Sequence, residues 1–191
     1  MKNLDDVRIY GDLDSEIWLG PKGATLPTTW GDPTGPTYQA LGWLSEDGVG
    51  LALSADVQKF RGWQGATTLR TKVTSSEKTI TAQALQDNPM TSALYWGHGT
   101  PTSVAATGTG PTAIPKHAKV LIPQSPGTIE RSAVIKFVDE DVIKYLLCES
   151  LQVTDREEIP HQNAEMAAYG FTFEIVGDMW LLTNAPAWNG A

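Results

Sequence analysis

The sequence predicts a mostly β protein: an antiparallel β-sandwich or partial barrel with one flanking α-helix, extended loops and terminal arms. Three observations support this fold class. Eighteen glycines and 12 prolines among 191 residues divide the chain into short pieces. Between them, apolar and polar residues alternate in runs rich in Val and Thr, which is the pattern of half-buried strands. A single stretch, residues 88–97, has helix signals at both of its ends.

The N-terminal part of the chain predicts one strand and a long arm. A short apolar run at residues 17–19 is followed by several Gly-Pro and Asp-Pro pairs, which mark turns and loops. We therefore expect an N-terminal strand and extended arm in residues 1–40 and a β-sandwich domain in residues 41–177. Residues 178–191 are too apolar for a free terminus and are expected to form a docking tail.

Residues 41–70 predict a hairpin followed by a projecting loop. Asp47-Gly48 lies between two apolar-alternating runs, and both central residues of a type I′ turn need positive φ. Large aromatic side chains and Arg in a projecting loop are typical anchors for a protein partner. The residues predicted to make this contact are Lys59, Phe60, Arg61 and Trp63. The alternative is that Phe60 and Trp63 pack against their own domain.

Two further strands are expected after this loop, at residues 69–74 and 79–86, with a turn at residues 75–78 between them. Each predicted strand between residues 51 and 86 has one apolar face. The other face bears hydroxyls, amides and a few charges, as in any antiparallel sheet with one solvated side.

A helix should follow, because Asn88 can cap its start, Pro89 suits the first helical position and Gly97 can end it. Residues 100–115 should contain little strand. The remaining strands are expected at residues 118–122, 131–138, 145–154 and 168–176, the last with Tyr169, Phe171, Phe173 and Ile175 facing inward.

Charge and composition argue against several function classes. A net charge of −8 does not suit ordinary nucleic-acid binding, which needs clustered Lys and Arg. The apolar runs are too short to span a membrane and the charged start does not resemble a signal peptide, so a soluble protein made in the cytoplasm, without secretion or a membrane anchor, is expected. Cys148 is the one cysteine; it excludes an intramolecular disulfide and is expected to fill a small strand position.

Catalytic and metal-binding patterns are missing from the sequence. His98, His117 and His161 lie in predicted loops without a second ligand at metal spacing, and no phosphate-binding glycine motif occurs. We therefore expect no metal, no cofactor and no enzymatic activity. Two alternatives stay open. Seven tryptophans would suit a carbohydrate-binding β-sandwich, and Glu46, Asp47 and His98 could build a hydrolase.

Over residues 40–100 the chain resembles a known family. The order LGWLSEDGV, an alternating strand, QKFRGWQGATTLRT, ITAQALQ and TSALYWG is similar to that of the major tail tube protein of long-tailed bacteriophages, especially those infecting actinobacteria. The matching features are Gly42–Val49, Trp63, Arg70-Thr71 and Ala93–Gly97. The likeness covers residues 40–100 and thins to general β character afterwards.

This resemblance implies a structural virion protein whose hexameric rings stack into a hollow tail tube, through which DNA passes without specific binding. The implied partners are further copies of the chain, a tape measure protein inside the tube, and tail terminator and tail tip or baseplate proteins. The implied location is the virion tail, after assembly in the host cytoplasm. The aromatic loop would then contact another copy. A polar strand face would line the channel, and the residues expected there are Ser54, Asp56, Thr79, Thr81 and Gln83.

Overall fold

A computed structural model describes residues 4–188, apart from the side chain of Asp5. The fold is mostly β with one α-helix, as predicted. The strands and the helix are β1 Glu16–Pro21, β2 Gln39–Ala40, β3 Leu44–Arg61, β4 Thr68–Ala84, α1 Pro89–Trp96, β5 Thr102–Val104, β6 His117–Lys119, β7 Glu130–Asp139, β8 Val142–Arg156 and β9 Tyr169–Thr183. Short 3-10 turns lie at Leu4–Asp6, Gly110–Thr112 and Pro186–Trp188.

Seven strands form one antiparallel sheet in the order β2-β1-β7-β8-β9-β4-β3, and β5 pairs with β6 in a small separate hairpin. β2 and β3 lie at opposite edges of the sheet, yet only residues 41–43 separate them in the chain. A flat sheet with ~4.8 Å between strands would hold these edges about 29 Å apart, whereas the link spans at most about 14 Å. The sheet therefore curls into an unclosed partial barrel.

The concave side of this sheet encloses the main hydrophobic core. Strand alternation places every second side chain here, from Ile17 in β1 to Phe173 in β9. The largest of the fully buried side chains are Phe171, Phe173, Leu41, Ile80, Leu94, Ile135 and Leu151. The inward positions predicted for the last strand are thus confirmed for its aromatic residues. Cys148 is buried in the same core, as expected.

The convex side carries a second, smaller cluster, which is covered by the N-terminal loop (residues 22–38). The buried members of this cluster are Tyr38, Val134, Tyr145 and Leu147. The Tyr38 hydroxyl donates a hydrogen bond to the Thr25 carbonyl at 3.2 Å, and burial raises the pKa of this hydroxyl. The loop that was expected to form an extended arm is therefore held against its own sheet.

The helix α1 begins and ends where it was predicted. The Asn88 side-chain oxygen accepts hydrogen bonds from the amides of Met90 and Thr91, at 3.0 and 2.9 Å. Gly97 ends the helix with a left-handed φ of 71° and donates to the Ala93 carbonyl. The helix has eight residues. Among residues 4–188, none of the helices is long and apolar enough to cross a bilayer.

The prediction of a hairpin turn at Asp47-Gly48 is wrong. β3 runs through these residues, and its pairing with β4 shifts register between Leu44 and Val49. Gly48 takes a φ of 66° there. The positive φ that suggested a turn is thus used for a bulge, which bends one strand. The turn of the hairpin lies instead at residues 62–67.

The prediction of a turn at residues 75–78 is also wrong, because β4 is one strand from Thr68 to Ala84. Its register shifts opposite Asp56 and Val57, which leaves Thr74 as an extra residue. The Thr74 hydroxyl donates to the Asp56 carbonyl at 3.1 Å. This bulge allows the strand to continue through the polar Ser-Ser-Glu-Lys segment, whose composition is typical of a turn.

The C-terminal strands are longer than predicted. β9 continues past Val176 to Thr183, and its last part pairs with β8 through Leu181 opposite Leu146 and Leu182 opposite Tyr145. Residues 178–183 are therefore part of the sheet, because their apolar side chains extend the β8–β9 pairing. Residues 189–191 of the expected docking tail lie outside the described residues. In the expected strand at residues 118–122, only the first two residues belong to β6.

Candidate assembly surface

The β3–β4 hairpin extends well beyond the rest of the sheet. β4 pairs with β9 only from Thr79 to Ala84. Farther out, residues 51–77 form a two-stranded ribbon in which every residue except Gly62 is exposed or lies in the exposed turn. At ~3.4 Å per residue, the ribbon is about 34 Å long from Leu51 to Arg61. Isolated two-stranded hairpins are only marginally stable in water, so this ribbon would gain stability from contact with another surface.

One face of the ribbon carries exposed apolar side chains and is continuous with the core; Lys78 lies on it opposite Leu53, and Lys59 and Arg61 lie on it nearer the tip. We call it the apolar face. Leu51 lies opposite Ile80, which is buried in the core. By alternation, Leu53 and Val57 share this face, and Val73 lies directly opposite Val57. Leu53 is 71% exposed and Val73 is 57% exposed. Because apolar surface in water is unfavourable, this face is a candidate contact surface.

The other face of the ribbon is polar and continues onto residues 78–84 of β4, and the surface so formed contains all five residues predicted to line a channel. The cross-strand pairs on this face are Gly50–Thr81, Ala52–Thr79, Ser54–Glu77 and Asp56–Ser75. Gln83 lies two residues beyond Thr81 on the same face and donates to a Glu157 carboxylate oxygen at 2.7 Å. Ser54, Asp56, Thr79, Thr81 and Gln83 therefore share one surface. Their contact with a channel stays a prediction.

The four residues predicted to contact a partner lie together at the tip of the ribbon. Trp63 is the second residue after the end of β3 and is 94% exposed. Phe60 is opposite Arg70 on the polar face and is 45% exposed. Lys59 and Arg61 are exposed as well. The alternative was that Phe60 and Trp63 pack against their own domain. Neither ring is buried in this way.

A second apolar surface, on the outer half of β9, was not assigned to a site from the sequence. Once β4 diverges, one edge of residues 176–183 has no partner strand in the described part of the chain. Trp180 and Leu181 are 46% and 41% exposed there. The sequence signal for this surface is the apolar run Met-Trp-Leu-Leu, which by itself predicts a docking tail as readily as a strand. Free strand edges with apolar side chains are sites where chains associate.

The residues considered for hydrolysis are not assembled into a catalytic site. The His98 ring contacts the Ser92 hydroxyl at 2.8 Å through Nε2 and the Gly99 carbonyl at 2.7 Å through Nδ1. Neither ring nitrogen of His98 is bonded to Glu46 or Asp47, which lie in β3. Among residues 4–188, no group of three His, Cys, Asp or Glu side chains could hold a metal ion.

The tryptophans considered for sugar binding are spread over the molecule. The most exposed of them are Trp30 in the N-terminal loop, Trp43 between β2 and β3, Trp63 in the ribbon turn, Trp96 in α1, Trp180 in β9 and Trp188 near the C-terminus. A sugar-binding platform stacks aromatic rings on one face. Six locations on six different segments are not typical of such a platform.

The comparisons with known proteins agree with this architecture. The profile of a family described as phage tail tube protein matches residues 3–187, which is almost the whole chain. No curated protein matches the chain. Family membership explains why a mostly β fold carries a long exposed ribbon, because a protein that builds a tube must leave surfaces exposed for contact with other copies. The chain therefore belongs to the phage tail tube protein family.

Proposed function

We propose that this chain is the repeating subunit of a hollow tail tube, in which hexameric rings stack and DNA passes through the centre. The observation that carries the proposal is the two-faced ribbon. Its apolar face and its tip are left uncovered by the chain, while its polar face bears hydroxyls, amides and balanced charges. A ring subunit needs one surface that contacts its neighbours and another that lines the channel without binding DNA.

The apolar face supports contact with a second copy. Leu53, Val57 and Val73 would lose most of their exposed area against a neighbouring subunit, and burial of such side chains contributes about 1.5–3 kcal/mol each. The free edge of β9 and the free outer edge of β3 give each copy a place to pair with the next. Closure of these edges around a ring would remove them from water.

The strand number is consistent with a channel wide enough for DNA. The order β8-β9-β4-β3 offers four consecutive strands per copy. Six copies with ~4.8 Å between strands and a tilt of ~40° give a circumference of about 150 Å and a backbone diameter of about 48 Å. Side chains reaching roughly 5 Å inward leave about 38 Å, and the duplex is narrower than this.

The polar face supports passage without capture. Asp56 and Glu77 lie on it, and so do Lys72 and Arg70 nearer the tip, opposite Gln58 and Phe60. Two anions and two cations give this face little net charge of its own. The chain as a whole has a net charge of −8, so phosphates are repelled rather than bound. Salt limits that repulsion to about 8 Å from the wall.

The proposal includes the partners and the place of assembly that the family resemblance implies. A tape measure protein would occupy the channel during assembly, and terminator and tail tip or baseplate proteins would bind the two ends. The subunit would assemble in the host cytoplasm, function in the virion tail, and act without a cofactor or enzymatic activity. An actinobacterial host is supported only by the likeness of residues 40–100 and is proposed on that basis alone.

Trp63→Ala tests the proposal. Trp63 is 94% exposed, so the variant monomer should melt at the wild-type temperature while its assembly is weakened. Negative-stain microscopy should show wild-type rings or rods about 80 Å wide, from the ~48 Å barrel plus ~10 Å of sheet packing and roughly 5 Å of side chain on each side. Trp43→Ala is the matched control, since Trp43 is 62% exposed outside the ribbon.

Equal assembly of Trp63→Ala and wild type would contradict the role of the ribbon tip. The carbohydrate alternative gives a different result in the same preparation. A sugar-binding module stays monomeric and shifts on an oligosaccharide affinity gel, and exchange of its exposed tryptophans removes that shift.

A further inference from the structure

A second projection leaves the body between α1 and β7. We call residues 99–127 the arm. β5 and β6 pair within it, and Thr107 and Ile114 exchange two further backbone hydrogen bonds, at 3.0 and 2.9 Å. Nearly all of its residues are exposed. The arm is thus a preformed hairpin that stands away from the core, and a preformed element loses little conformational entropy when it binds.

The arm is basic and apolar in a chain that is otherwise acidic. Its charged residues are Lys116 and Lys119, and residues 99–127 contain no Asp or Glu. Leu121 is 85% exposed, and Ile114 and Ile122 are also exposed. A surface that pairs these two properties fits a partner with exposed apolar side chains beside carboxylates.

Such a surface occurs at the opposite end of the same molecule. The N-terminal residues 7–14 are fastened to the end of β7: the amides of Gly11 and Asp12 donate to the Val138 carbonyl, and Asp12 accepts from the Glu140 amide at 2.7 Å. Tyr10 packs edge-on against Phe137. The segment is therefore held in a defined position by its own hydrogen bonds.

This held segment presents apolar side chains outward. Val7, Ile9 and Leu13 are 67%, 82% and 80% exposed. Beside them, the β7–β8 turn and the segment itself expose three carboxylates, those of Asp14, Glu140 and Asp141. We call these residues the acidic end. Its apolar and anionic groups match the apolar and cationic groups of the arm.

Within one chain the two surfaces join the body at opposite ends of β7, and the apolar side chains of both are exposed. The arm joins β7 at Glu130, and the acidic end joins it at Asp139. Nine residue steps along a strand at ~3.4 Å separate these points by about 30 Å. Surfaces at opposite ends of one subunit meet when copies stack head to tail, which is the arrangement that builds an open filament.

We infer that the arm of one copy binds the acidic end of a second copy in the next ring. The inference rests on the proposed tube and adds the contact that joins its rings. Leu121 and Ile122 would pack on Ile9 and Leu13, while Lys116 and Lys119 would face Glu140 and Asp141. The apolar contact supplies affinity, and the charges fix which ends meet and make the contact sensitive to salt.

Disulfide cross-linking between two singly substituted chains tests this contact. Leu121→Cys and Ile9→Cys proteins are mixed at low salt, oxidised, and run on a non-reducing gel. The native Cys148 is fully buried and does not interfere. A heterodimer is expected, and its yield should fall severalfold as sodium chloride is raised. Gln162→Cys is the control, because this exposed residue lies in the β8–β9 loop, at the same end of the sheet as the arm.

Charge exchange sharpens the test. Lys116→Glu with Lys119→Glu, added to the Leu121→Cys chain, should lower the heterodimer yield about tenfold. Glu140→Lys with Asp141→Lys, added to the Ile9→Cys chain, should restore it. Equal cross-linking to Gln162→Cys, or no restoration by the exchange, would overturn the inference. If tubes form but this cross-link does not, the inference is wrong and the proposed function still stands. If the cross-linked pair forms but rings or tubes do not, the contact is supported and the proposed function is contradicted.

Discussion

Tyr145 donates a hydrogen bond of 2.7 Å to the carboxylate of Asp32, which joins the middle of the sheet to the N-terminal loop. Lys136 contacts the same carboxylate at 3.0 Å, and Trp30 packs edge-on against the Tyr145 ring. Burial, and then the hydrogen bond to Asp32, raise the pKa of the Tyr145 hydroxyl. These contacts hold residues 22–38 over the convex side of the sheet.

Tyr145→Phe should therefore loosen the loop without unfolding the sheet. It removes one hydrogen bond to a charged group but keeps the ring, so we expect a loss of about 1–2 kcal/mol in the free energy of unfolding. Urea denaturation measures this loss, and limited proteolysis should cut first within residues 22–38. Tyr10→Phe is the control, because the Tyr10 ring makes its contact with Phe137. Equal losses in both variants would show that the bond to Asp32 contributes nothing.

Asn88→Ala should destabilise the protein by about 1 kcal/mol through its effect on α1. The Asn88 side chain accepts hydrogen bonds from two amides at the helix start, and alanine cannot accept either. Asn88→Ser keeps an oxygen at this position and should retain most of the stability. The measurement is the urea midpoint of the three proteins. A serine variant as unstable as the alanine variant would argue against capping as the cause.

The helix could be predicted because its signals are local, and the faces of the strands because alternation is local as well. The position of the hairpin turn could not be predicted from the sequence, because an Asp-Gly pair suits a tight turn and a bulge equally well. Gly48 has the positive φ that a turn needs, yet the strand continues because Val49 and later residues pair with β4 on the far side of the bulge. Register across a sheet decides between the two, and register is not a local property.

The exposure of the apolar face of the ribbon could not be predicted from the sequence either. Leu51 and Leu53 alternate with polar residues in the same way as buried strand residues do, so the pattern cannot tell whether the chain itself covers them. That depends on where β4 leaves β9, beyond Glu174, and hence on the order of strands in the sheet. Trp180 in β9 was likewise assigned to a tail, because a strand edge is created only by the neighbours that a strand lacks.

Cys148 should make the stability fall at high pH. Burial raises the pKa of its thiol from about 9 in the unfolded chain to about 12, and Lys78 opposes this only partly. The folded state therefore keeps the proton at a pH where the unfolded state releases it. Below pH 9 this changes nothing, and between 9 and 12 the free energy of unfolding falls by up to about 1.4 kcal/mol per pH unit.

Urea denaturation of wild type and Cys148→Ala at pH 8 and pH 10 isolates this contribution, because the buried tyrosines affect both proteins equally. The wild type should lose about 1 kcal/mol more than the variant between the two pH values. The native thiol should also fail to react with Ellman's reagent at pH 8. Equal losses of unfolding free energy in the two proteins would mean that burial does not raise the pKa of the Cys148 thiol.

Leu53→Lys and Ser54→Lys should separate the two faces of the ribbon. The residues are neighbours in β3 and both are exposed, but they point to opposite faces. Each monomer should keep its stability within about 0.5 kcal/mol. Leu53→Lys should abolish assembly in negative stain, because a cation cannot replace apolar packing against another copy. Ser54→Lys should still assemble; if it fails as completely as Leu53→Lys, the polar face is not free in the tube.

Thr81→Cys tests which face lines the channel. Thr81 is exposed and lies opposite Gly50, on the face that also bears Ser54 and Asp56. In the monomer, a small maleimide and a bulky polymer-linked maleimide should both label the new thiol rapidly. In assembled tubes the small reagent should still react, since it diffuses in from the open ends. The bulky reagent should react many times more slowly, because the proposed channel of about 38 Å would admit it poorly and the tube wall would block it from outside. Equal rates with the bulky reagent in monomers and tubes would place this face on the outside. The apolar face of the ribbon would then have to face the channel, which would expose Leu53 and Val73 to water and remove the physical reason for the ring.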